Sequence, residues 1–418
     1  MSEVSIGALR IPQTRRARIG EKLAREVVFK LLGKLQVGSL ALHEGPLRHH
    51  FGQEGKAQEP QAEVHIQNPA MYAKMLAGGS IGAGEAYIKE YWSSPAPVEV
   101  MRLFSANLAV LESFEERQSV LVKLTLKLAH WFNRNTRKGS QENIAAHYDL
   151  GNDFFRLFLD PTMMYSSAIF SDSAMTLEAA SEAKLDELCH QLELQPDDHL
   201  LEIGTGWGGM AIHAAKYFGC RVTTTTISKE QYEHACARVK SEGLEDKITL
   251  LCEDYRNLTG QYDKLVSIEM IEAVGHEFYQ SYFQMCTDLL KPDGKMVIQA
   301  ITVADQRYKS ARDEVDFIKR YIFPGGCLPS IAVMAGHIAR DTDMQIVHLR
   351  DITEDYATTL AHWRERFLAN LDAVRGMGFN EEFLRMWEFY LCYCEGGFRE
   401  RIIGTVQLAL AKPGYRPA

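Results

Sequence analysis

Residues 198–209 read Asp-His-Leu-Leu-Glu-Ile-Gly-Thr-Gly-Trp-Gly-Gly, and the fold turns on them. A short apolar run from Asp198 to Ile203 stops at Gly204, and glycines recur at 206, 208 and 209. A strand that ends in such a turn and opens a helix lets backbone come close to a ligand. A helical stretch comes next over 210–218, then a β-branched strand over 221–227 and a helix over 229–242. Strand signals return at 247–252, 264–269 and 295–301, the last behind the turn Pro292-Asp293-Gly294, and again at 344–349 and 402–411. This alternation predicts an α/β domain with a mostly parallel seven-stranded sheet and helices on both faces.

Upstream the texture differs. Residues 38–51 read as two strands about the turn Glu44-Gly45-Pro46, and 61–67 as a third. Helices are expected at 70–77 and 84–90, separated by Gly78-Gly79-Ser80, and Pro95-Ala96-Pro97 marks a further break. The expected organisation is a smaller α+β domain over 1–116, a basic amphipathic helix and linker over 117–140, and the main domain over 141–418.

A length of 418 residues fits two to three domains. A content of 46% hydrophobic and 24% charged residues excludes a disordered, collagen-like or rod-like chain. Apolar runs such as 296–304 are far short of the roughly 20 residues that span a bilayer. Arg10, Arg15, Arg16 and Arg18 lead into no apolar core, so no secretion signal is expected. The eight cysteines form no CxxC pair, and Cys392 and Cys394 are badly spaced for zinc. Reduced thiols, a cytoplasmic location and no metal are expected.

The formal net charge is -9, which argues against a general nucleic-acid binder. Yet the first 34 residues carry eight Lys/Arg against three acids. A second run, 117–138, has six Lys/Arg and no acid. Within it Val120, Leu121, Leu124, Leu128, Trp131 and Phe132 recur at helical spacing, with Lys123, Lys127 and Arg134 on another face. A basic helix with an apolar stripe suits an anionic membrane surface. A peripheral protein on the inner face of the cell membrane is therefore expected.

The loop itself selects a ligand class. A pyrophosphate favours a bare helix N-terminus. Here Glu202 stands just before Gly204 and Gly206, a form more typical of S-adenosylmethionine, whose sulfonium and amino groups are cationic. The next strand ends at Thr226-Ile227-Ser228 rather than at the acid that meets a ribose diol in dinucleotide sites. Gln231 can serve instead. Asp254 comes after the third strand, where an acid commonly meets an adenine amino group.

Five stretches in order carry a family resemblance: 143–160 (NIAAHYDLGNDFFRLFLD), 164–170 (MYSSAIF), 201–209 (LEIGTGWGG), 267–276 (SIEMIEAVGH) and 321–330 (YIFPGGCLPS). Together they resemble the cyclopropane-fatty-acyl-phospholipid synthase family, from about residue 140 to the end. The resemblance implies a Rossmann-like class I methyltransferase domain. It implies transfer of the S-adenosylmethionine methyl to a cis double bond of an unsaturated phospholipid acyl chain. The resulting cation loses a proton and closes a cyclopropane. The cofactor would be held by Tyr165, Ser166, Gly204, Gly206, Thr226, Gln231 and Asp254. Glu272 and Tyr356 match positions that, with a cysteine, a histidine and an isoleucine backbone, hold a bicarbonate ion as the base. Ser167 stands in place of that cysteine and Gln299 in place of the histidine, followed by Ile301. A hydroxyl and an amide still donate hydrogen bonds to an anion. The two replacements bear on ring closure more than on methyl transfer, so a methyl-branched or methylene product is the alternative. A homodimer is also compatible.

An alkene cannot be activated by deprotonation, so the site must supply positioning and stabilise a cation. Glu272, Tyr165, Tyr356 and Trp363 are the expected wall. Glu269 reads equally well as a solvated residue at a helix start. The loop 324–327 is expected to line an acyl pocket, and Trp387, Phe389, Tyr390 and Phe398 to pack in a core. Three rivals remain from sequence: a nicotinamide oxidoreductase, a small-molecule methyltransferase and a non-catalytic lipid binder. The first lacks its acid at the second strand, the second needs no basic helices, and the third needs no glycine loop.

Overall fold

The structure is a computed structural model that describes residues 19–53, 55–56, 58–108 and 150–417. The basic segment 117–138, its linker at 139–140 and the first eighteen residues lie outside the described residues, as does the start of the 143–160 motif. Strands are numbered β1 (Ser39–Glu44), β2 (Leu47–Gly52), β3 (Gln61–Ile66), β4 (Trp92–Ser93), β5 (His199–Ile203), β6 (Arg221–Thr225), β7 (Ile248–Leu251), β8 (Tyr262–Ile268), β9 (Leu290–Val303), β10 (Gln345–Asp351) and β11 (Ile403–Ala411).

The described chain falls into two compact units, neither of them continuous. One contains 19–108, Val315–Ile322 and Leu360–Ile402; the other contains 150–314, Phe323–Thr359 and 403–417. In the first unit β2-β1-β3-β4 form a sheet, with β1 antiparallel to β2 and parallel to β3. The helix Ala70–Ile88 runs through the expected break as one element, bent where Gly79 takes φ 52° and ψ -131°. Helix propensity carried the flanks, and only glycine allows that backbone at the bend. The helix Glu381–Arg399 packs against it and against the helix Pro97–Ala106. Trp387, Phe389, Tyr390 and Phe398 are buried along it, as their spacing predicts. Contact is close: a Cβ on Gly84 would meet the Phe317 ring at 2.5 Å, and one on Gly396 would meet Met101 Cβ at 2.5 Å. Buried polar groups there are paired. Tyr87 Oη donates to Glu388 Oε2 at 2.7 Å, and Arg364 Nε donates to Glu395 Oε2 at 3.1 Å.

The second unit holds the seven-stranded sheet, ordered β10-β11-β9-β8-β5-β6-β7. The five strands from β9 to β7 are parallel, while β11 and β10 run antiparallel to their neighbours. Alternate residues go to opposite faces. Leu201, Leu265, Met296, Ile298 and Leu408 join Tyr279, Tyr282 and Phe283 on one face. Leu200, Val222, Val266, Val297 and Ala409 join Leu185, Leu188 and Met210 on the other. Both faces are covered, which is why these strands read as continuous apolar runs. Burying each such Leu or Phe contributes roughly 1.5–3 kcal/mol. The chain order reverses between β5 and β8, and in open α/β sheets ligands bind beyond the carboxyl ends of strands at such a reversal. Among the described residues no helix is long and apolar enough to cross a membrane.

Candidate active site

The glycine loop lies at the end of β5. Gly204, Gly206 and Gly208 take φ 103°, 52° and 85°, conformations open to glycine and strained for other residues. A Cβ on Gly206 would meet nothing within 4 Å, so that side of the loop faces open space. Gly204 N and Thr205 N both donate to Thr225 O at 3.0 Å, which ties the loop to β6. Just beyond β6, Thr226 Oγ1 donates to Gln231 Oε1 at 2.9 Å. Gln231 sits in the first turn of the helix Lys229–Ser241, whose N-cap Ser228 accepts from Gln231 N. Asp254 comes after β7 and is bound through both oxygens by Arg256, with lone pairs left for a further donor. Tyr165 stacks edge-on to Phe155 at 5.2 Å, with Phe323 at 6.5 Å. The expected cofactor residues thus stand at the carboxyl ends of β5, β6 and β7 and on the 165–166 segment.

Glu202 is turned inward. Its Oε2 accepts from Thr224 Oγ1 at 2.6 Å, and burial pushes its pKa up to about 8. Nearby Lys184 is also wholly buried, which pulls its pKa down to about 8; its Nζ donates to Ser166 Oγ at 2.9 Å. Its charge acts on Glu269, Asp160 and Glu202. Sequence reasoning missed Lys184. The signal was available: it occupies a core position in the stripe Leu177, Ala180, Ser181, Lys184, Leu185, Leu188 of the helix Leu177–Leu192.

The residues assigned to the base converge, and they converge on a carboxylate of this chain. Glu269 Oε1 accepts from Ser167 N at 2.9 Å and from Gln299 Nε2 at 2.8 Å. Glu269 Oε2 accepts from Tyr356 Oη at 2.8 Å. Ser167 contributes its backbone N–H there, since its hydroxyl donates to Ala168 O at 2.9 Å. Gln299 has no freedom to turn. Its Oε1 accepts from Gln407 Nε2 at 2.9 Å, and Gln407 Oε1 accepts from Gln191 Nε2 at 2.7 Å. The register of β9 and β11 places Gln407 opposite Gln299. Glu269 itself sits one residue past β8 at φ 48°, a left-handed backbone that costs a residue other than glycine roughly 1–3 kcal/mol.

Glu272 is three residues on, in a single turn over Ile271–Ala273. Its Oε1 accepts from Ile301 N, and its Oε2 is shut from solvent with no hydrogen-bond partner among the described residues. Burial first, and then the charge of Glu269, pushes its pKa up to about 8. The bend at 324–327 closes on this turn: Cys327 N donates to Glu272 O at 2.8 Å, and Tyr279 Oη donates to Cys327 O at 2.6 Å. The 165–170 segment is held from the other side, where Ala168 N donates to Thr359 Oγ1 at 3.1 Å and Phe170 N to Asp355 Oδ1 at 2.8 Å. Trp363, also expected in the cation wall, belongs to the other compact unit. Glu269, Gln407 and Gln191 were not among the expected site residues. A glutamine inside the apolar strand β11 was the legible clue.

Elsewhere, in the first unit, donor atoms of His43, Glu63 and His65 lie within 4.8 Å of one another, a group that could hold a metal ion.

Comparison with known proteins agrees with this geometry. The family model described as mycolic acid cyclopropane synthetase matches residues 135–408. A tuberculostearic acid methyltransferase of Mycobacterium tuberculosis is 38% identical over 380 residues, covering 88% of each chain. A cyclopropane-fatty-acyl-phospholipid synthase of Escherichia coli is 38% identical over 355 residues, covering 84% of this chain and 88% of its own. Among solved structures, a cyclopropane synthase from Mycobacterium tuberculosis superposes with a TM-score of 0.61 at 32% identity, covering 65% of this chain and 98% of its own. A glycine loop at the sheet reversal, five motifs in order and these relatives lead to one conclusion: the chain belongs to the cyclopropane-fatty-acyl-phospholipid synthase family and is an S-adenosylmethionine-dependent methyltransferase.

Proposed function

We propose that this enzyme transfers the methyl group of S-adenosylmethionine to a cis double bond of an unsaturated phospholipid acyl chain and closes a cyclopropane. The observation that carries the reading is the pair Glu269 and Glu272 with Tyr356, gathered beyond the sheet beside the cofactor loop. A weakly nucleophilic alkene needs a positioned methyl donor, negative charge near the developing cation and a proton acceptor. Two carboxyl groups and a phenol meet the last two needs. A structural neighbour, a mycolic acid cyclopropane synthase, was solved with SAH and CTAB. That pairing supports a nucleoside product beside a long alkyl chain here.

A second reading keeps the methyl transfer and changes the product. Ser167 and Gln299 depart from the cysteine and histidine of the resemblance, and one relative is named a methyltransferase rather than a cyclopropane synthase. A cation that loses a neighbouring proton leaves a methyl-branched or methylene alkene. Both products add one CH₂, so mass spectrometry of the lipid tests methyl transfer and proton NMR tests the product. Added mass with an upfield cyclopropane methylene signal is expected. Added mass without that signal refutes the ring and leaves the alkene.

The membrane surface is part of the proposal. The helix Ile19–Leu32 exposes Ile19, Leu23 and Val27 in one stripe, alongside Lys22 and Lys30. Apolar residues flanked by lysines suit an anionic lipid surface, which supports peripheral attachment to the inner face of the cell membrane.

A further inference from the structure

We propose that Glu269 is the base that receives the proton after methyl transfer, so that the chain carries in a side chain what the resemblance assigns to bicarbonate. The proposal rests on the function proposed for this enzyme. The donors that the resemblance assigns to the ion are Ser167, Gln299, Tyr356 and the Ile301 backbone. Three of these already serve Glu269: Ser167 N and Gln299 Nε2 on Oε1, Tyr356 Oη on Oε2. The fourth, Ile301 N, serves Glu272 Oε1. A bicarbonate would have to displace one or both carboxylates from their donors and sit as a further anion beside them. The residues present therefore do not fit the ion.

They do fit a carboxylate. Gln407 holds Gln299 Oε1, so the amide of Gln299 must present its N–H₂ to Glu269. A histidine is not needed to make that contact. Hydrogen bonds to a charged acceptor are roughly twice as strong as neutral ones. Oε1 accepts two bonds and Oε2 one, which leaves a lone pair on Oε2 for a proton. The two carboxyl groups divide the roles. Glu272, with one oxygen buried and unpartnered, is the one pushed up to about 8 and carries a proton at neutral pH. Glu269, though raised by burial, is pulled back by its three donors and by Lys184. Pairs of carboxyl groups driven apart in this way mark acid and base. The backbone adds a second sign: Glu269 keeps φ 48°, where glycine would be free of strain, and a strained position is kept where the side chain has work to perform.

The step balances. The alkene π pair bonds the transferred methyl as the carbon–sulfur bond breaks, its pair staying on sulfur. One C–H bond next to the cation then breaks. Its electron pair closes the third ring bond, or a double bond if a chain hydrogen leaves, and the proton goes to Glu269 Oε2. Glu269 is left neutral and returns the proton to water.

The test uses the full chain, vesicles of a dioleoyl anionic phospholipid and methyl-labelled S-adenosylmethionine, in carbon-dioxide-free buffer and with millimolar bicarbonate. The wild-type rate is expected to be the same in both. Glu269→Gln, the same shape without the basic oxygen, should lose about 100-fold or more in rate, while SAH affinity by calorimetry stays unchanged. Glu269→Gly suits the backbone and should fold. It should be inactive without bicarbonate and regain activity with bicarbonate or formate, which fill the vacated place. A wild-type rate that collapses on removal of bicarbonate, or a Glu269→Gln rate within about twofold of wild type, would overturn the proposal. A wild-type enzyme that labels no lipid in either buffer would overturn the parent function, and this proposal with it.

Discussion

At Gly206 the backbone stands at φ 52° and the direction of an added Cβ is empty. Gly206→Val should therefore fold, pay for an unfavourable backbone and place two methyl groups where the cofactor belongs. Calorimetry should show S-adenosylmethionine and SAH affinity down by more than about tenfold, equal to about 1.4 kcal/mol. The buried carboxyl of Glu202 gives a second residue-scale expectation. Its folded pKa of about 8 lies above the ordinary carboxyl value, so between those pH values the unfolded chain is ionised and the folded one protonated. The folded state then binds more protons, and its contribution to stability is present at low pH and lost as pH rises toward 8. Glu202→Gln can still accept from Thr224 and cannot ionise. Its denaturation midpoint should gain on wild type between pH 5 and pH 8; parallel curves would show that Glu202 is already ionised in the folded state.

Among the elements, the pairing of β9 with β11 decides how the site is wired. It sets Gln407 against Gln299, and through Gln299 orients a donor at Glu269. Both glutamines are wholly buried. Gln407→Leu keeps the size, removes the donor to Gln299 Oε1 and strands that oxygen. Stability should fall by about 1–3 kcal/mol in denaturant unfolding. Methyl transfer should slow while cofactor affinity holds, because the glycine loop is built from other strands. A variant with wild-type turnover would show that Gln299 holds its orientation without the chain of amides.

For the whole molecule, the question is where it works. Its formal charge is -9, yet its basic residues are gathered in the first 34 positions and in 117–138. We expect sedimentation with anionic vesicles, weaker as salt rises because the attraction is screened within about 10 Å at 0.1 M. Replacing Lys123, Lys127 and Arg134 by Gln should reduce vesicle binding and leave SAH affinity alone. Equal binding to neutral and anionic vesicles would refute the electrostatic part of this expectation.

The sequence alone determined the α/β sheet, the glycine loop, the cofactor class and the family. These rest on contiguous residues: a strand, a turn and a helix start are encoded within ten or twelve positions, and local backbone preference fixes them. It also marked Ser167, Gln299, Ile301, Glu272 and Tyr356 as belonging together, through motif matches rather than geometry. What it could not show is that Glu269 sits among them. Glu269 meets donors 102, 30 and 87 residues away in the chain, and from sequence it looked as much like a solvated helix start as a site residue. The same holds for Lys184, whose burial is a property of everything packed around it, and for 315–322 and 360–402, which join the unit built by the N-terminal segment. Tertiary structure decided these points because burial, and the pKa changes and directed donors it brings, arise only when distant segments exclude water from one another.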